Sequence, residues 1–166
     1  GCDNALPLAV RPDVLVFETP PLKESVKVIG PVTVKLWASS TAVDTDFTAK
    51  LVDVHPRNND YPSGYAMNLA NGLVRARYRS SVASPELMEP NKVYEFSIDL
   101  WTTANLFASG HRIRVEISSS NFPEFDINPN TGETIGAATR QVSAHNTIHH
   151  DKTRPSHVIL PVMVEK

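Results

Sequence analysis

Apolar and polar residues alternate with a period of two over several short stretches of this chain, and almost nowhere does a helical period persist. The clearest case lies in 110–117, where Ile113, Val115 and Ile117 alternate with Arg112, Arg114 and Glu116. That spacing predicts a strand with one buried face and one face that pairs its charges. Val32, Val34, Leu36 and Ala38 alternate with Thr33, Lys35, Trp37 and Ser39. They form the second part of a 26–39 stretch that Gly30 and Pro31 are expected to divide, and Trp37 falls on the face opposite the aliphatics. Tyr94, Phe96, Ile98 and Leu100 alternate with Glu95, Ser97 and Asp99, ahead of a 101–109 corner expected to form one helical turn. In 47–54, Phe47, Ala49 and Leu51 share one face while Val52 and Val54 share the other, which predicts a bulge or a strand covered on both sides. A strand over 73–80 would set Arg75, Arg77 and Arg79 against Val74, Ala76 and Tyr78. Shorter strands are expected at 13–18 and 157–164, a loop at 56–64, and a short helix within 136–145. Seven or more short strands with turn signals between them predict an all-β fold, an antiparallel β-sandwich of jelly-roll type. Residues 1–12 read as an arm or interdomain linker and 13–166 as the sandwich.

Composition narrows the partners more than the fold. The chain has 166 residues, enough for one domain with a proper core. A net charge of -2 with both signs interspersed argues against nucleic acid or a polybasic membrane surface, leaving protein or small-molecule partners. No apolar run approaches the roughly 20 residues of a spanning helix. Cys2, beside a terminus, can pair only with another molecule and so indicates no redox compartment. The chain does not begin with Met and is expected to be a segment of something longer.

Five arrangements of residues bear on chemistry. No Gly-x-Ser-x-Gly turn is present, so no catalytic residue is assigned. His145 and His149 would meet at i and i+4 on a helix, but Thr147 and Ile148 between them favour a strand that holds them too far apart for one metal. Asp126, Asn128, Asn130 and Gly132 space oxygen donors as a calcium loop does, yet Pro129 interrupts them and no closing glutamate follows, so capping of their own turns is expected. No cofactor is therefore expected. Arg75, Arg77 and Arg79 are read as structural ion-pair partners, with Asp44, Asp46 and Asp53 as the candidate carboxylates. Trp37, Trp101, Phe122 and Phe125 would stack sugars only if they formed an exposed row, and core or interdomain packing suits them better. Asn121, Phe122, Pro123 and Phe125 belong to a loop after the 110–117 strand that mixes turn formers with two phenylalanines. Together with Trp37 they are the expected domain interface.

Five strings in order carry a resemblance: RPDVLVF from Arg11, AVDTDFTAKLVDV from Ala42, GLVRARYR from Gly72, GHRIRVEISSSNFP from Gly110, and NTG from Asn130. Over about 11–164 the chain resembles the C-terminal domain of the X-Pro dipeptidyl-peptidase and cocaine-esterase (CocE/NonD) hydrolase family. The resemblance implies a galactose-binding-like jelly roll that packs on an α/β-hydrolase domain and its helical cap. It also implies a Ser-His-Asp triad located in the hydrolase domain, outside this chain, and an active-site cleft near the junction of the domains. A non-catalytic accessory domain of a serine hydrolase is thus the expected function. The pattern alone also leaves open a free-standing carbohydrate-binding module.

Overall fold

A computed structural model of the chain describes residues 8–134 and 136–164. Most of the expected arm, residues 1–7, lies outside them, and Leu8–Val10 forms a 3-10 turn. Eight strands follow: β1 (Leu15–Glu18), β2 (Val26–Ser40), β3 (Asp46–His55), β4 (Tyr65–Arg75), β5 (Tyr94–Phe107), β6 (Arg112–Ser118), β7 (Asn146–His149) and β8 (His157–Ile159). One sheet has the order β1-β6-β3-β4. The other has the order β5-β2-β7, with β8 also pairing with β2. All pairings between these strands are antiparallel.

The alternating aliphatics make the core. Val32, Val34, Leu36 and Ala38 of β2, Phe47, Ala49 and Leu51 of β3, and Phe96, Ile98 and Leu100 of β5 are all buried. They meet between the sheets, where the rings of Phe47 and Phe96 lie 4.7 Å apart between centroids. Each large side chain so removed from water contributes roughly 1.5–3 kcal/mol. Gly72 of β4 permits a close approach between sheets, because a Cβ there would stand 2.0 Å from the Asp99 carbonyl oxygen of β5.

Four local expectations are corrected. The 101–109 segment makes no helical turn, since β5 continues through it. Pro31 pairs with Thr102 and Thr33 with Asp99, so Leu100 and Trp101 oppose Val32 alone. Trp101 takes a positive φ of 64°, and its N–H donates to Asp99 Oδ1 at 2.8 Å. The inserted residue shifts the inward phase from even to odd positions, and this is why the alternation seems to stop there. Gly30 and Pro31 do not divide β2; they lie at the same irregularity within one long strand. The arginine strand ends at Arg75, where Ala76–Tyr78 turn as a 3-10 helix, so the three arginines share no face. Finally, among the described residues 136–145 hold no helix. Of the two readings offered for 47–54, coverage on both sides holds: the register shift between Leu51 and Val52 places the extra residue, Leu69, in β4, β3 stays in continuous register with β6, and Val52 is buried although it shares the outer face.

Candidate functional site

Asp46 opens β3, and even-numbered positions of that strand point away from the core. A carboxylate here must be covered and paired if it is to leave water. Arg75, its register partner on β4, donates from Nε to Asp46 Oδ1 at 2.9 Å and from Nη2 to Oδ2 at 3.0 Å. Two residues earlier, Asp44 accepts from the Arg77 backbone N–H at 3.0 Å and from Arg77 Nε at 2.8 Å. The 3-10 turn after β4 is what swings Arg77 into this position. Asn128 joins the two pairs, its Nδ2 donating to Asp44 Oδ2 at 2.9 Å and to Asp46 Oδ1 at 2.8 Å. Asp44 and Asp46 are at most 1% exposed. Hydrogen bonding to Asp46 raises the pKa of Arg75 above its ordinary value, against the effect of burial. With its acceptors occupied, the cluster works as a clamp; it offers no free nucleophile or base.

What the clamp holds is the loop after β6. Arg75 Nη2 donates to the Asp126 carbonyl, and Asn128 Oδ1 accepts the Asn130 N–H. Nearer the start of the loop, Asn121 Nδ2 and Asn71 Nδ2 both donate to the Glu124 carboxylate. The backbone between these ties presents apolar side chains to solvent: Phe122 is 67% exposed, Ile127 51% and Phe125 37%. Pro123 is exposed with them, and Asn121 is half-buried. Phe122, Lys50 and Ile127 line a crevice of about 300 Å³ together with Leu8, Arg11 and Val14, through which the chain enters the fold.

The other expected site residues lie elsewhere. Trp37 is half-buried on the outer face of β2, flanked in register by Glu95 and His149. The 121–125 loop is tied to Asn71, which pairs with the outward-facing Lys50 on the other sheet. The two therefore lie over opposite sheets and form no common patch. Arg79 turns away from Arg75 and Arg77, pairing with Glu86 at 3.1 Å and covering the Tyr94 ring at 4.4 Å. Of the supposed calcium donors, Asn128 is spent on the carboxylates and its own turn. His149 lies on β7 with Nε2 3.3 Å from Ser39 Oγ.

Asp53 is no arginine partner. It projects inward at the far end of β3, buried, with His111 Nδ1 2.8 Å from its Oδ1 and Asn105 Nδ2 donating to its Oδ2 at 3.2 Å. His55, two residues on and facing the same way, brings Nε2 to 3.6 Å from Oδ2. The sequence carries one local sign of this cluster, Asp53 and His55 at i and i+2 of a strand; His111, just before β6, is brought beside them only by the pairing of β6 with β3.

Comparison with known proteins gives this arrangement a family. Residues 7–159 match the family described as the X-Pro dipeptidyl-peptidase C-terminal non-catalytic domain. The chain is 46% identical over 165 residues to cocaine esterase from Rhodococcus sp. (strain MB1 Bresler), covering 98% of this chain and 28% of that protein. Among solved structures it is similar to an aminopeptidase from a marine sediment archaeon, Thaumarchaeota archaeon, with a TM-score of 0.90 at 34% identity over 94% of this chain and 27% of the other. An α-amino acid ester hydrolase gives a TM-score of 0.87, also at 34% identity, over 92% of this chain and 26% of the other. The chain thus spans only 26–28% of the length of these relatives. The family match extends over all eight described strands and over the clamp from Asp44 to Asn128, and the chain belongs to the X-Pro dipeptidyl-peptidase C-terminal non-catalytic domain family.

Proposed function

We propose that this domain serves a serine hydrolase of the α/β type by packing against its hydrolase and cap domains and helping to shape the cleft between them. The observation that carries this reading is the 121–127 loop, which exposes Phe122 and Ile127 while both of its flanks are tied down. A loop that is held rigid and yet leaves large apolar groups in water is suited to receive a partner, because little ordering entropy remains to be lost on docking. Burying each such side chain would contribute roughly 1.5–3 kcal/mol. The crevice shared by Phe122, Leu8 and Arg11 adds support, since the partner domains of a C-terminal domain precede it in the chain. Trp37, on the other sheet, is left to a separate contact.

The test is Phe122→Ser in this domain alone and in the full-length protein. Alone, the substitution should change unfolding free energy by no more than about 0.5 kcal/mol, as for other exposed positions. In the full-length protein it should lower stability by roughly 1.5–3 kcal/mol and alter turnover of ester or amide substrates. Equal losses in the two contexts with turnover untouched would overturn the reading.

A further inference from the structure

We propose that Asp53, His55 and His111 form a binding site for a divalent transition-metal ion of the zinc type, at the end of the sandwich away from the 121–127 loop. The three side chains come from two adjacent strands of one sheet. Asp53 and His55 are alternate residues of β3, while His111 immediately precedes β6, whose Ile113 is the register partner of Asp53. One donor atom from each lies within 4.8 Å of the other two. At zinc bond lengths of about 2.0–2.2 Å, tetrahedrally placed donors stand about 3.4 Å apart. Here the two imidazoles approach different oxygens of one carboxylate, His111 Nδ1 at 2.8 Å from Asp53 Oδ1 and His55 Nε2 at 3.6 Å from Oδ2, so side-chain shifts of about an ångström bring one oxygen and two nitrogens round an ion.

Two further features separate this cluster from an ordinary hydrogen-bonded aspartate. His55 Nε2 is shielded from solvent and has no hydrogen-bond partner among the described residues. At 3.6 Å the carboxylate is too far to be one. A ring nitrogen aimed at a buried carboxylate without bonding to it is placed as a ligand would be. The site also has the outer support that metal ligands need: Asn105 Nδ2 donates to Asp53 Oδ2 at 3.2 Å, and the Tyr65 ring meets the His55 ring edge-on at 5.7 Å. The donor set of two imidazoles and one carboxylate suits zinc, cobalt or nickel better than calcium or magnesium, which prefer oxygen throughout. To ligate, His111 must present a bare Nδ1, so its ring hydrogen, held towards Asp53 in the metal-free form, moves to Nε2 by exchange with solvent. Three protein donors leave a fourth position for water.

The experiment uses the full-length protein, stripped with a chelator and titrated with Zn²⁺ by calorimetry, with thermal unfolding followed in parallel. His55→Ala is the informative variant, since the nitrogen it removes makes no hydrogen bond in the fold and the variant should fold normally. The wild type should bind one more equivalent of Zn²⁺ than His55→Ala, or bind one equivalent at least tenfold more tightly, and Zn²⁺ should raise the wild-type melting temperature by more than that of the variant. Co²⁺ in the same site should give the intense visible absorption of tetrahedral coordination, and His55→Ala should abolish it. Equal stoichiometry, affinity and melting shift in the two proteins would overturn the proposal, whatever other metal sites the full-length protein carries.

Discussion

Strand β3 carries a buried aspartate near each end, and the two ends handle it differently. Asp46 and Asp53 are separated by about 23 Å of strand. At the first end the partners are guanidinium groups, which hold their charge at any ordinary pH and present a planar fork that fits a carboxylate. Asn128 takes up what the arginines leave, and the result is a closed network with a loop locked into it. At the second end the partners are imidazoles and an amide, which can be neutral, and one imidazole nitrogen goes unbonded. A permanently charged partner makes a burial that cannot be reversed without large cost, whereas a ligating partner leaves room for exchange. The difference separates an end built for rigidity from an end built to accept something.

The largest effect should come from breaking the closed end. Asp44→Ala strands the Arg77 guanidinium, 8% exposed, beside Asn128 with no carboxylate of its own, and removing one partner of such a buried pair costs about 3–5 kcal/mol. Asp53→Ala removes an equally buried carboxylate but leaves only groups that can be neutral, so the loss should be about 1–3 kcal/mol. Denaturant unfolding of both variants checks the contrast. Losses of equal size would mean that the kind of partner does not matter and that the comparison between the ends is wrong.

Next in size is Asn128→Ala, which removes two hydrogen bonds to carboxylates and frees the loop. Hydrogen bonds to charged groups are worth about 1.5–3 kcal/mol, and most of one such value should be lost. The more telling readout is limited proteolysis. Cleavage within 121–127 should accelerate well beyond what the loss of global stability explains, because Asn128 ties the loop to β3 locally. Cleavage that merely tracks global unfolding would show that the clamp does not hold the loop.

The same contrast explains what could be read from the sequence. The core faces of β2 and β5 were legible because each buries one side of an alternating strand, and that of β6 because its three aliphatics pack on the core, although Glu116 on its other face is buried too. β4 was visible only in its last three residues, 73–75: it is a sheet edge whose first residues, Tyr65 to Ala70, are exposed or half-buried and alternate in no useful way. Alternation at 94–100 was real but misled beyond Leu100, because one bulged residue, Trp101, reverses the phase. Arg75, Arg77 and Arg79 looked like one stripe because a strand was extended through a 3-10 turn, and each in fact meets a different acidic residue. Asn128 gave no sign of bridging two aspartates more than 80 positions away. Such long-range closure depends on tertiary placement and has no local signature. Asp53 and His55 did have one, in the i, i+2 spacing on β3.

The smallest effect tests whether hydrogen bonds or burial set the difference between the ends. Asp151 accepts from the Thr153 hydroxyl at 2.6 Å and its N–H at 2.9 Å, from the Arg154 N–H at 3.0 Å, and from Arg154 Nε at 2.9 Å. It is thus bonded as richly as Asp44, but it is exposed. The Thr153 hydroxyl foremost, and then Arg154, hold its pKa well below the ordinary 3.8. The sign follows from that shift. A carboxyl whose folded pKa lies below its unfolded value stabilises the fold above the unfolded value, and that contribution disappears as pH falls through the folded one. Any such loss is confined to strongly acidic solution. At neutral pH, Asp151→Asn should leave the melting temperature nearly unchanged, because solvent screens an exposed pair and water replaces its hydrogen bonds. An NMR titration of the Asp151 carboxyl should nonetheless show a midpoint below the ordinary range. A melting loss approaching that of Asp44→Ala would mean that the number of hydrogen bonds, rather than removal from water, makes the clamp strong.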